Sequence, residues 1–132
     1  MVNQLIEVDT EEYQTLFDAL QQSAIFVAVI EGKRIANLSQ YLEAVWKAFK
    51  FPQTGHVNYY AYLDWICDLS WLHADGYALI LKDYPDFMSD DTRNRDIVIN
   101  SLSDKVLTWW QSDIEQFQVE GKAKPFNVYL VD

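Results

Sequence analysis

Apolar positions along this chain alternate between two rhythms. Near the start, Tyr13, Leu16, Phe17 and Leu20 fall at i, i+3, i+4 and i+7, the stripe of an amphipathic helix. Asp9-Thr10-Glu11-Glu12 precedes it and reads as a helix start, with Asp9 as N-cap and an acid three residues on. Residues 24–30 are then an unbroken, β-branched apolar run, which predicts a strand buried on both faces. Gly32 punctuates that run. A second helical stripe follows at Leu42, Val45, Trp46 and Phe49, capped by Asn37 or Ser39 and stopped by Pro52.

A third helix is expected over residues 58–69, with Asn58 as its N-cap. At about 100° per residue, Tyr59, Tyr62, Leu63, Ile66 and Leu69 gather on one side. Asp75-Gly76 is a turn, and residues 77–81 read as a second buried strand. A polar loop opens at Tyr84-Pro85-Asp86 and reaches Asp91. A long helix then runs to residue 110 or beyond, with Ile99, Leu102, Val106 and Trp109 at helical spacing. Gly121 and Pro125 bracket a turn carrying Lys122 and Lys124, and Phe126–Val131 is a third strand. Strands separated by helices imply parallel pairing through right-handed crossovers. The expected class is α/β: a small three-stranded parallel sheet covered by helices, with an extra N-terminal helix. Residues 1–23 form that extension and residues 24–132 the domain proper.

Composition narrows the function. At 132 residues the chain is one domain, and with half its residues apolar and 15% aromatic it buries a core. Twenty acids against ten bases give a net charge of −10, which phosphate backbones repel, so no nucleic-acid partner is expected. The longest apolar run is too short to span a bilayer, and the N-terminus lacks the basic start of a signal peptide. No membrane contact is therefore expected, and the location is expected to be cytoplasmic. A single cysteine, Cys67, excludes an internal disulfide or thiolate zinc cage and suits a reducing compartment.

Catalytic patterns find little support. His56 and His73 lie in or near loops, and no helix would bring His73 against Cys67. Gly-x-Ser-x-Gly elbows, phosphate-binding loops and His-Glu-x-x-His spacing are missing from the sequence. Asp83, Asp86, Asp90 and Asp91 cluster in a loop, yet their spacing fits no EF-hand. Neither a metal nor a cofactor is expected.

The third helix is different. Asp64 and Asp68 project about 40° apart on its polar side, flanked by Tyr60 and Trp65, with no base from residue 57 to 72. Like charges at i and i+4 weaken a helix, so folding does not ask for the pair. A cationic partner would. Exposed Tyr and Trp beside acids also match interface cores.

These same residues carry a family likeness. Val29-Ile30-Glu31-Gly32-Lys33-Arg34-Ile35, Phe51-Pro52, Asn58, Ala61, Asp64 and the run Asp68-Leu69-Ser70-Trp71 resemble barstar, the intracellular inhibitor of the secreted ribonuclease barnase. The resemblance implies that a loop and the helix after it plug a ribonuclease active site, with carboxylates standing in for RNA phosphates. Asp64 falls on the central carboxylate position of that motif, Asn58 on the asparagine that begins the inhibitory helix, and Ala61 on its small neighbour. Thr54-Gly55-His56 replaces the family's aromatic–aromatic–glycine loop, and Tyr60 replaces an earlier acid. The later helix offers Asp113 or Glu115 as a further carboxylate.

The expected partner is thus a basic ribonuclease, bound one to one by a monomeric, non-enzymatic inhibitor of antitoxin or immunity type. Its contact residues would be Asp64, Asp68, Tyr60, Trp65, Asn58, Thr54, His56 and Ala61. An interaction module on the same fold with a non-nuclease partner is the alternative.

Overall fold

The computed structural model describes residues 2–52 and 58–132. Its strands are β1 (Leu5–Val8), β2 (Ile25–Glu31), β3 (Gly76–Lys82) and β4 (Phe126–Val131). They form one all-parallel sheet in the order β1-β4-β3-β2. The mixed α/β class and the three expected strands are present. The count of three is corrected to four, because β1 pairs with β4 from Leu5↔Val128 to Val8↔Val131. Four residues are too few for periodicity to distinguish strand from loop, so only the partner strand defines β1.

Period-two alternation gives the sheet two faces. Val27 and Val29 of β2, Ile80 of β3 and Tyr129 and Val131 of β4 point one way, with Ile6 and Val8 of β1. Across them lies α1 (Thr10–Gln21), through its expected stripe of Tyr13, Leu16, Phe17 and Leu20. Asp9 occupies the cap position, but its side chain makes no capping bond. β3 is buried along almost its whole length, whereas β2 is an edge strand on which only Ala28 and Ile30 are fully enclosed. The expectation that residues 24–30 are buried on both faces is therefore corrected.

The opposite face bears the main core: Ala28, Ile30, Tyr77, Leu79, Leu81, Phe126 and Val128, covered by α2 (Leu38–Ala48), α3 (Tyr59–Ile66) and a long C-terminal helix. Asn37 caps α2 by accepting the Gln40 N–H at 2.9 Å. Gly32 follows β2 where a Cβ would sit 2.3 Å from the Lys82 carbonyl oxygen, so no larger residue fits the close approach of β2 and β3 ends. Tyr41 of α2 and Tyr62 of α3 share a buried hydroxyl–hydroxyl hydrogen bond of 2.7 Å. Burial raises the pKa of both phenols.

The long helix is where helical spacing misleads. It starts at Thr92 with Asp91 as cap and continues to Phe117, but two π-turns interrupt it, Leu102–Val106 and Trp109–Asp113. The N–H of Leu107 reaches back five residues to the Leu102 carbonyl, and that of Ile114 to Trp109. Each π-turn rotates the downstream residues relative to a regular helix. The buried stripe accordingly runs Leu102, Val106, Trp110 and Ile114. Trp110, not Trp109, enters the core, and Trp109 is only half-buried.

Candidate functional site

α3 is positioned from both ends. At its start, Asn58 accepts the Ala61 N–H at 2.9 Å, so both residues serve the cap that fixes where the helix begins. At its end, the Ile66 carbonyl accepts the Trp110 indole N–H at 3.0 Å. On one flank, Phe51, Trp65 and Trp71 form an aromatic cluster with centroids 5.4–6.4 Å apart. The Trp71 N–H in turn donates to the Phe49 carbonyl at 2.9 Å. Tyr62, Ile66 and Leu69 are buried, while Tyr59 and Leu63 are half-buried, as the stripe predicted.

The helix is shorter than expected. It ends at Ile66, and Cys67 and Asp68 form a turn that leads to Leu69 at φ 51°. The Trp65 carbonyl accepts from both the Asp68 and Leu69 N–H groups, at 3.0 and 3.2 Å, so the last turn tightens instead of propagating. Asp68 therefore stands past the helix end. Its carboxylate accepts the Ser70 N–H at 3.4 Å, a contact at the outer limit of hydrogen-bond length.

Asp64 and Asp68 are both exposed, and both line one groove of about 390 Å³ between α3 and the long helix. Leu63 and Cys67 complete the α3 side, while Lys105, Trp109 and Gln118 form the facing wall. The recess continues past Asp68 and Gln118 into a smaller cleft of about 180 Å³ that Lys122 and Lys124 border. Among the described residues, the one ion pair is Lys82–Glu31 at 3.9 Å, far along the sheet. No side chain of this set neutralises Asp64 or Asp68.

Their charge is felt by neighbours. The Cys67 thiol is pushed up to about 12 by burial, and then by the Asp64 carboxylate. Tyr77 is likewise raised to about 12 by burial and the charge of Asp68. A thiol held protonated in this way is a poor nucleophile at neutral pH.

Tyr60 is 83% exposed at the first turn of α3, clear of the groove lining. Trp65 faces the aromatic cluster and is half-buried. Thr54 and His56 lie outside the described residues. Of the two later acids, Glu115 accepts the Ala123 N–H at 2.9 Å and Asp113 is half-buried; neither lines the groove. Lys105, Trp109 and Gln118, which do, carried no signal in the periodicity, since a regular helix would have turned Trp109 inward.

The family described as Barstar (barnase inhibitor) matches residues 25–130. The chain belongs to the barstar family. Neither a curated protein nor a solved structure matches it. The barstar match begins at the first residue of β2 and leaves β1 and α1 outside. It covers α3, the groove and the long helix. Among the described residues, no helix is long and apolar enough to cross a membrane.

Proposed function

We propose that this barstar-family protein is a cytoplasmic inhibitor, of antitoxin or immunity type, that binds a basic ribonuclease one to one and closes its active site with the face of α3. Asp64 is the central anchor. Its carboxylate takes the place of an RNA phosphate and accepts charge-assisted, bidentate hydrogen bonds from a guanidinium group. Asp68 adds a second charge beside it, and Tyr60 and Trp65 provide apolar contact at the rim. Asn58 and Ala61 fix the start of the helix, and Thr54 and His56 are further contacts of the proposed interface.

One observation carries this reading: the Asp64 carboxylate is exposed at the mouth of a concave site with no cation of the described chain upon it. A site so built is prepared for an external cation. The surrounding excess of acid would steer a basic partner toward it and lose that effect in salt.

Calorimetric titration of barnase, and of other basic ribonucleases, into wild type and Asp64→Ala tests the proposal. A tight one-to-one complex is expected for wild type. Truncating one partner of a buried charge pair removes about 3–5 kcal/mol, so Asp64→Ala is expected to weaken binding at least ~100-fold. Unchanged affinity in Asp64→Ala would move the site elsewhere. A second reading, an interaction module with a non-nuclease partner, is favoured by Lys105, a cation on the wall that faces Asp64. Capture of such a protein together with indifference to every ribonuclease would select it.

A further inference from the structure

The two edges of the sheet are built differently. β1, at one end of the order β1-β4-β3-β2, is four residues long and carries an exposed charge, Glu7, within the strand. Shortness and charge are devices that keep an open edge from pairing with another chain. β2, at the other end, has neither. It runs Ile25-Phe26-Val27-Ala28-Val29-Ile30-Glu31, with no proline and no charge before its last residue. Its ladder to β3 is unbroken from Ile25↔Gly76 to Glu31↔Lys82, so no bulge turns the edge aside. Among the described residues, no turn or loop backbone bonds to residues 26–31. The outer side of β2 thus presents a row of N–H and C=O groups that its own ladder does not use.

Beside this edge lies a groove of about 370 Å³, with Val29, Ile30 and Glu31 on the strand side. Opposite them, α2 turns Gln40, Glu43, Ala44 and Lys47 toward the groove, one helix face by their spacing. Glu43 and Lys47 are exposed, and neither forms an ion pair with any described residue. In a chain of net charge −10, residues 25–50 hold four bases (Lys33, Arg34, Lys47, Lys50) against two acids. Crowded acid therefore does not hold a second copy off this face.

We propose that β2 pairs antiparallel with β2 of a second copy, forming a two-fold dimer whose sheet is continuous across both chains. A two-fold axis at mid-strand matches the edge to itself, and outward N–H groups of each copy find C=O groups of the other. The same axis sets the two α2 helices side by side and antiparallel. Ala44 is small enough to let their axes approach to about 8–10 Å, and Glu43 of each copy meets Lys47 of the other. A uniformly basic or acidic partner would match only one of these two charges; a two-fold copy matches both. No residue lining this groove lines the α3 groove. Pairing is thus independent of ribonuclease binding, and the dimer, in place of the expected monomer, keeps one α3 face per chain.

Sedimentation velocity of the full chain, from micromolar to millimolar concentration, tests the pairing. A monomer–dimer equilibrium that stops at two is expected. Lys47→Glu, at an exposed position, sets acid against acid at both symmetry-related contacts and is expected to weaken the dimer at least ~10-fold. Glu43→Lys combined with Lys47→Glu exchanges the signs and should restore the wild-type dimer constant within about threefold. Hydrogen exchange should show amides of residues 25–31 gaining protection as concentration rises, while those of β1 do not change. A chain that stays monomeric throughout, association that continues past two, or protection gained elsewhere but not in β2 overturns the proposal. So does a double variant that pairs no better than Lys47→Glu alone. Asp64→Ala should leave the dimer constant as in wild type, so loss of ribonuclease binding and loss of pairing are read separately.

Discussion

Two acidic recesses flank the sheet. One lies between β1 and α1, holds about 500 Å³ and includes Glu7, Glu11 and Glu12 among its lining residues. The other is the smaller groove between α3 and the long helix, with Asp64 and Asp68. Neither has an ion pair with a lysine or arginine among the described residues, so unpaired acid alone does not distinguish them. The α3 groove differs in having a cation, Lys105, on its facing wall, and in lying within the barstar match. Local charge is easy to arrange on a surface of net −10. Opposed walls of different chemistry require a tertiary structure that holds two helices in register.

The largest expected effect breaks the register itself. Trp110 joins the long helix to α3, is 2% exposed, and donates to the Ile66 carbonyl. Trp110→Ala is expected to cost about 3–5 kcal/mol, measured by urea denaturation, and to weaken ribonuclease binding at α3. The α1 packing stays intact if the protein is held folded at low temperature.

Next comes the contrast of acids. Glu11→Ala with Glu12→Ala is expected to leave the equilibrium affinity for a bound ribonuclease within about threefold, against ~100-fold for Asp64→Ala. The double variant should slow association at low ionic strength and match wild type at high salt. Equal losses from both recesses would erase the distinction between them.

A smaller effect appears at alkaline pH. In the folded chain the Cys67 thiol is raised from 9.0 to about 12, and the Tyr77 phenol from 10.0 to about 12. Below pH 9 both groups are protonated whether the chain is folded or not, and their contribution to stability is complete. Above that, the unfolded thiol ionises first and the unfolded phenol from about pH 10, while the folded forms hold their protons. Stability should therefore fall as pH rises from 9 to 12. Cys67→Ala should flatten the first part of the fall in a series of thermal melts. Asp64→Asn, which removes the second cause of the thiol shift, should make Cys67 alkylate faster at pH 9–10.

The smallest effect lies on the α1 side. Lys82 pairs with Glu31 at 3.9 Å and sits 5.0 Å from the Tyr13 ring centroid. Both partners of the pair are substantially exposed, so Lys82→Met is expected to change stability by no more than about 1 kcal/mol and to leave groove binding alone. A larger change would mean that α1 is held by charge and not by its apolar stripe.

Much of this architecture can be read from the chain alone, for a physical reason: burial imposes periods that leave a mark on sequence. The α1 and α2 stripes, β3 as a buried run, Asn37 and Asn58 as caps and the acid on α3 each depend on neighbours within a few residues. The barstar-like residues from Val29 to Trp71 also announce the family that the match over residues 25–130 shows. What only the tertiary structure decided depends on contacts between distant segments. β1 exists because β4 offers it an edge, and α3 stops at Ile66 because the following turn swings Trp71 onto Phe49. The long helix inserts two π-turns and brings Trp110 under Ile66, while Trp109 is left lining the groove with Asp64. A 3.6-residue period cannot encode that shift, since the extra residue in each π-turn answers to the packing of another helix.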